Sequence, residues 1–208
     1  MLVFFLRHAN AGQRRSNPKV DEKRPLDREG IEQSRYIGRL LSVMEVHVDL
    51  IVSSPLKRAT QTAALVGNEI GYEGRLVLDN AMKPGATFEQ FRALLRTCNR
   101  LEAIMVVGHN PNMARFLSLL VTNGANDRGI EMKKGSIARV DFTEKRTIFN
   151  WMITPKIAKA YYLSMPQATP IKKLESAKEP LPVARPVGKV ARKKVVKEAR
   201  SSKAAGSS

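Results

Sequence analysis

The apolar run Leu2-Val3-Phe4-Phe5-Leu6 stops abruptly at Arg7-His8. A continuous run of this length predicts a strand buried on both faces, and in open α/β folds the C-terminal ends of such strands line the ligand crevice. Other elements must therefore cover this first strand, which delivers an arginine and a histidine to the functional edge of the sheet. A second run, Ala103-Ile104-Met105-Val106-Val107, ends in Gly108-His109-Asn110-Pro111 and repeats the pattern. Between the two, Val48-Asp49-Leu50-Ile51-Val52 is broken by Ser53-Ser54-Pro55. The proline suits the first turn of a helix carrying Arg58, Thr62, Leu65 and Val66.

The intervening segments supply the helices. Asn10 to Lys23 is polar and predicts a loop whose basic residues either rim a site or are solvated. Asp27 is a good cap for a helix with Ile31, Ile37, Leu40, Leu41 and Met44 close to helical spacing. His47 falls on a surface turn. Leu76-Val77-Leu78 predicts a third strand, and Pro84-Gly85 a turn before a helix from Thr87 to Thr97 with Phe88, Phe91, Leu94 and Leu95 inward. A helix through Phe116, Leu117 and Leu120 follows the second histidine. Ile137 to Phe142 and Thr147 to Trp151 alternate like paired strands. Strands separated by helices of this length predict a three-layer α/β/α sandwich with a mostly parallel central sheet.

Charge separates the chain into two parts. Of 36 basic and 19 acidic residues, 13 basic and only three acidic ones follow Pro155, so the end of the chain carries more than half of the net +17. It is rich in lysine, proline and alanine and has almost no aromatic residue after Tyr162. Such a segment has too little apolar surface to offset its ordering entropy, which predicts a domain over 1–162 and a disordered basic tail over 163–208. Cys98, the single cysteine, excludes an intrachain disulfide. No stretch approaches a membrane span. A cytoplasmic, monomeric protein with no membrane association is the expectation.

If the three strands that end in Arg7-His8, Ser53-Ser54 and His109 run parallel, two arginines and two histidines converge beside two helix N-termini, whose free N–H groups favour an anion. Arginine forks suit phosphate oxygens and the spread charge of a phosphoryl transition state. A histidine among cations has its protonated form disfavoured, leaving a neutral imidazole able to attack phosphorus. His8 is the nucleophile candidate because Arg7 is fixed beside it; His109 would donate to the phosphoryl oxygens. Arg24, Ser54 and Asn110 are candidate substrate-binding residues, although each has an ordinary reading as a solvated arginine, a helix cap or a loop residue. With three histidines in all and no metal-ligand spacing, no metal and no cofactor are expected.

Leu6-Arg7-His8-Ala9 with Ala11, the stretch from Ser54 through Arg58 to Ala63, and Val107-Gly108-His109-Asn110-Pro111 resemble the three signatures of the histidine phosphatase superfamily, related to phosphoglycerate mutase. Little is inserted between the second and third, and Asp21 through Arg24-Pro25-Leu26 to Gly30 and Phe149-Asn150-Trp151 resemble its short phosphohistidine-phosphatase branch. The resemblance covers roughly residues 1 to 160. It implies that His8 is transiently phosphorylated, that Arg7, Arg58 and His109 bind the phosphoryl group, and that water releases phosphate. Two positions depart from the pattern. Ala9 stands where the superfamily has glycine, and Ala81, counted back from Pro84, where many members carry the acid that protonates the leaving group; Asp79 would replace it only if the loop shifts.

A missing acid matters less for phosphohistidine, whose imidazole leaving group is already protonated near neutral pH, than for an alkyl phosphate. The expected activity is removal of phosphate from a phosphohistidine protein, a histidine phosphotransfer domain among the candidates. The alternatives are a small-molecule phosphomonoesterase of the same superfamily and a non-catalytic phosphate- or nucleic-acid-binding protein. For the last, the tail would contact nucleic acid or another polyanion without reading sequence.

Overall fold

The computed structural model describes residues 1–165. Apart from its first three residues, the expected tail lies outside the described residues. In chain order the elements are β1 (Leu2–Arg7), α1 (Pro18–Glu22), α2 (Arg28–Val43), β2 (Leu50–Ser53), α3 (Lys57–Glu69), β3 (Val77–Leu78), a 3₁₀ turn at Asn80–Met82, α4 (Phe88–Thr97), β4 (Ala103–Gly108), α5 (Asn112–Val121), β5 (Ile137–Phe142), β6 (Thr147–Ile153) and α6 (Pro155–Ser164).

The six strands form one sheet in the order β3-β2-β4-β1-β5-β6. The first four are mutually parallel; β5 joins β1 antiparallel and β6 joins β5 antiparallel. The alternation of side chains along β1 divides the core. Val3 and Phe5 face α4 and α5, where Phe5 meets Phe91 edge-on at 5.5 Å and Phe91 stacks on Phe116 at 5.1 Å. Phe4 and Leu6 face the other layer, built from Ile37 and Leu41 of α2, Ala59, Ala63 and Val66 of α3, and Ala158 of α6. Burial on both faces is why β1 and β4 read as unbroken apolar runs.

Register then fixes the site. Arg7 pairs with Gly108 across β1 and β4, and Ser53 with Val107 across β2 and β4. His8, Ser54 and His109 therefore leave the sheet at one edge.

Three local expectations need correction. The Asn10 to Lys23 loop contains α1, capped by the Asn17 side chain on the N–H of Lys19. α2 ends at Val43, and Met44 is exposed instead of completing the apolar stripe, because the chain leaves the helix at that residue. Phe88, at the first turn of α4, is half-buried and packs inward as expected, its ring 5.8 Å from that of Phe116. The chain is helical through Ser164, beyond the expected boundary at Tyr162, because Tyr162 is an anchor: its hydroxyl accepts from Arg39 Nη1 at 2.6 Å and its ring meets Tyr36 at 5.6 Å.

Candidate active site

β1 ends in Arg7, and both functional groups after it are locked by the backbone. The N–H of His8 donates to the Gly108 carbonyl at 3.0 Å, and His8 Nδ1 lies 2.8 Å from the Ala9 carbonyl. A carbonyl only accepts, so Nδ1 carries the proton and Nε2 the lone pair. Arg58, on the first turn of α3, donates from Nε to that Nε2 at 3.3 Å. The next residue is fixed too: Ala9 N–H donates to Thr62 Oγ1 at 3.1 Å. The ring of His109, one residue past β4, lies 4.8 Å from that of His8 between centroids.

Ser54 sets the second histidine. Its hydroxyl oxygen lies 2.8 Å from His109 Nε2 and accepts weakly from the Leu56 N–H at 3.4 Å. Among the described residues Nε2 is the acceptor offered to the hydroxyl proton, and donation there leaves His109 protonated on Nδ1. Among the described residues that Nδ1–H makes no hydrogen bond although it is buried, and neither does Arg7 Nε, while Arg7 Nη1 holds the Met132 carbonyl at 2.6 Å. Buried donors are almost always satisfied. Two orphaned ones beside His8 suit an anion with several acceptor oxygens.

Electrostatics agree. Desolvation by burial, with the charges of Arg58, Arg7 and Arg24, holds His8 at about 3, against the opposing effect of its bond to Ala9. Desolvation, then His8, Arg58 and Arg7, hold His109 at about 2. Both imidazoles are neutral in the folded protein at physiological pH. The cleft above them has a volume of about 890 Å³ and is walled by Arg7, Arg14, Arg15, Arg24, Arg58, Lys83 and Lys134 against Asp21 and Glu22. α3 and α5, whose N-caps Leu56 and Pro111 lie on the cleft, are the two α-helices without a side-chain cap among the described residues.

The structure thus brings Arg7, His8, Arg58 and His109 together. Arg24 and Asn110 also lie on the wall; Arg24 is partly spent on the Ala11 carbonyl at 2.6 Å and on Asp21, and Asn110 Nδ2 on the Met132 carbonyl at 2.9 Å. Ser54 is a correction: fully buried, it sits behind His109 and does not wall the cleft. Asp79 does not take the acid's place either. It is buried and caps the 3₁₀ turn by accepting the Ala81 N–H at 2.8 Å, while Ala81 is buried in the core. Sequence reasoning left Asp21 without a role of its own, and the Met132 carbonyl, which aligns Arg7 and Asn110, unnoticed. Among the described residues no group of three or more histidines, cysteines or carboxylates is placed to hold a metal, and no helix is long and apolar enough to cross a membrane.

Fold and site together define an α/β protein with a histidine-centred cationic pocket at the C-terminal edge of the parallel strands. The model of the histidine phosphatase superfamily, branch 1, matches residues 3–83. The phosphohistidine phosphatase SixA of Escherichia coli (strain K12) is 26% identical over 166 residues, which span 77% of this chain and 99% of that protein. Among solved structures, the protein histidine phosphatase SixA complexed with tungstate superposes with a TM-score of 0.67 at 24% identity, covering 75% of this chain and 98% of that one. The alpha-ribazole phosphatase from Shigella flexneri has the same fold, with a TM-score of 0.59 at 17% identity over 74% and 97% of the two chains.

Proposed function

We propose that this phosphatase removes the phosphoryl group from phosphohistidine on a protein, by way of a phosphohistidine at its own His8 and without a metal. The observation that carries the mechanism is the pairing of a neutral His8, its Nε2 lone pair facing Arg58, with two buried and otherwise unsatisfied donors, Arg7 Nε and His109 Nδ1. Nε2 of His8 attacks phosphorus as the bond to the leaving imidazole breaks, and that imidazole departs neutral, keeping the proton it already carries. Arg7, Arg58 and His109 take up the charge that spreads over the phosphoryl oxygens. Water then attacks phosphorus, the bond to Nε2 breaks, and phosphate leaves with the water's oxygen.

The substrate class is supported by what the cleft lacks. Ala81 stands at the acid position and the buried Asp79 accepts from the Ala81 N–H, so among the described residues neither offers a proton to an alkoxide leaving group. An imidazole needs none. The volume of the cleft exceeds what a phosphoryl group fills, and its cationic mouth at Arg14, Arg15, Lys83 and Lys134 suits an acidic protein surface around the phosphorylated residue. The likeness to SixA in sequence supports the same class.

The test is phosphate release from a phosphohistidine protein and from an aryl phosphate, in the presence of chelator, for the wild type and His8→Ala. Preference for phosphohistidine with an inactive variant is the expected result. Faster turnover of the aryl phosphate would keep the chemistry and refute the substrate, and full activity in His8→Ala would refute the mechanism.

A further inference from the structure

We infer that Asp21 is a positioning residue, which docks the α1 segment onto the cleft and orients the Arg58 guanidinium toward His8. The inference rests on the phosphatase reading above and extends it to a residue outside the three signatures. Asp21 is buried at 8% exposure, and hydrogen bonds from three arginines converge on it. Arg24 Nε donates to Oδ1 at 2.8 Å and the Arg15 N–H to the same oxygen at 2.9 Å. Arg58 Nη1 donates to Oδ2 at 3.3 Å and to the Asp21 carbonyl at 3.0 Å.

Among the described residues, neither end of this arrangement has another anchor of comparable strength. α1 has five residues, too few for a helix stable by itself, and its one large apolar side chain, Val20, is 52% exposed. The segment is held by polar contacts: those of Asp21 and those of Arg24 to the carbonyls of Ala11 and Gly12. At the other end, the guanidinium is planar and rigid. Fixing Nη1 on two acceptors of one residue fixes the plane, and the plane sets Nε, which faces His8 Nε2 at 3.3 Å. The carboxylate is not a proton donor itself. Desolvation pushes its pKa up, but the bonds from Arg24 and Arg15 and the charges of Arg24 and Arg58 outweigh this and hold it at about 2.

Asparagine at this position keeps the volume and one acceptor but loses the charge. Arg58 is then free to turn, while the cleft becomes more positive by one unit. The two consequences separate in kinetics: turnover falls, and affinity for a simple anion does not. A purely structural role for Asp21 would lower both.

The experiment measures kcat and KM for wild type, Asp21→Asn, Arg58→Gln and the double variant, on whichever of a phosphohistidine protein and an aryl phosphate the wild type hydrolyses faster, with inorganic phosphate as competitor. Misplacing one aligned group costs on the order of tenfold to 100-fold, so Asp21→Asn is expected to lower kcat by that factor with the inhibition constant of phosphate unchanged or tighter. In the Arg58→Gln background the same substitution is expected to add less than about twofold, because both act through one guanidinium. Should circular dichroism show Asp21→Asn unfolded, Asp21→Glu, which keeps the charge on a longer arm, is expected to show the same drop in kcat with phosphate affinity retained. An unchanged kcat, or an equal loss with and without Arg58, would overturn the inference. A wild type that hydrolyses neither substrate would instead overturn the phosphatase reading.

Discussion

Two neutral histidines buried in a cationic cleft make stability depend on pH, and the size of the effect follows from the structure. His8 is held at about 3 and His109 at about 2, both depressed by burial first and by neighbouring cations second, from an ordinary value of 6.5. Between these limits the unfolded chain binds protons that the folded chain does not. Stability is therefore full above pH 6.5 and is lost as pH falls toward the folded values. From pH 7.5 to 5.5 each histidine contributes a loss of about 1.4 kcal/mol, roughly 2.7 kcal/mol for the pair, whatever the folded values are so long as they lie well below 5.5. Asp21 stays out of this window, because its contribution is lost only as pH falls below its ordinary 3.8. Urea titrations at the two pH values, followed by fluorescence of the single Trp151 in a buffer free of phosphate, measure the difference. His8→Asn is expected to lose about half of the pH dependence. Equal stability at pH 7.5 and 5.5, or a wild-type dependence in His8→Asn, would show that these imidazoles are not held neutral, and with that the nucleophile would lose its basis.

Other outcomes follow from single contacts. Gly30→Ala drives a Cβ into the carbonyl of Asn10, where α2 starts against the loop that leaves His8, and is expected to cost roughly 1–3 kcal/mol of stability by urea titration. Ser54→Ala removes the hydroxyl that sets the proton on His109; it is expected to cost about 1–3 kcal/mol and to lower kcat with little change in KM, and an unchanged kcat would mean that His109 needs no fixed tautomer. Arg14→Ser with Arg15→Ser is expected to raise KM for a phosphohistidine protein, and to flatten its salt dependence, while the aryl phosphate is turned over as before.

The parts of this structure that were legible in the sequence are those governed by local pattern. Leu2–Leu6 and Ala103–Val107 read as buried strands because both faces are covered, and their parallel register is enough to bring His8 beside His109. Arg58 was legible from its place on the first turn of a helix that begins at the same sheet edge. What escaped depends on partners far along the chain. The α1 turn leaves no apolar period, since it is held by Asp21 against Arg58, 37 residues away. The carbonyl that holds Arg7 belongs to Met132, 125 residues away, and a backbone acceptor carries no residue-type signal. Ser54 was legible as a residue of the site but not as the partner of His109, because which side of the imidazole it meets depends on how β2 and β4 align. Met44 continued a helical period that the helix does not complete, since the chain turns at that residue toward β2.

The phosphoenzyme itself is the most direct object of test. Wild-type protein mixed with a phosphohistidine protein, quenched in alkali within the first turnovers and digested, is analysed by mass spectrometry for the mass of one phosphoryl group on the peptide containing His8. The proposed mechanism requires that group on His8, appearing before free phosphate and disappearing as phosphate is released, and requires its absence in His8→Asn. Steady release of phosphate with no modified His8 at any time, or a phosphoryl group found on His109 instead, would contradict it.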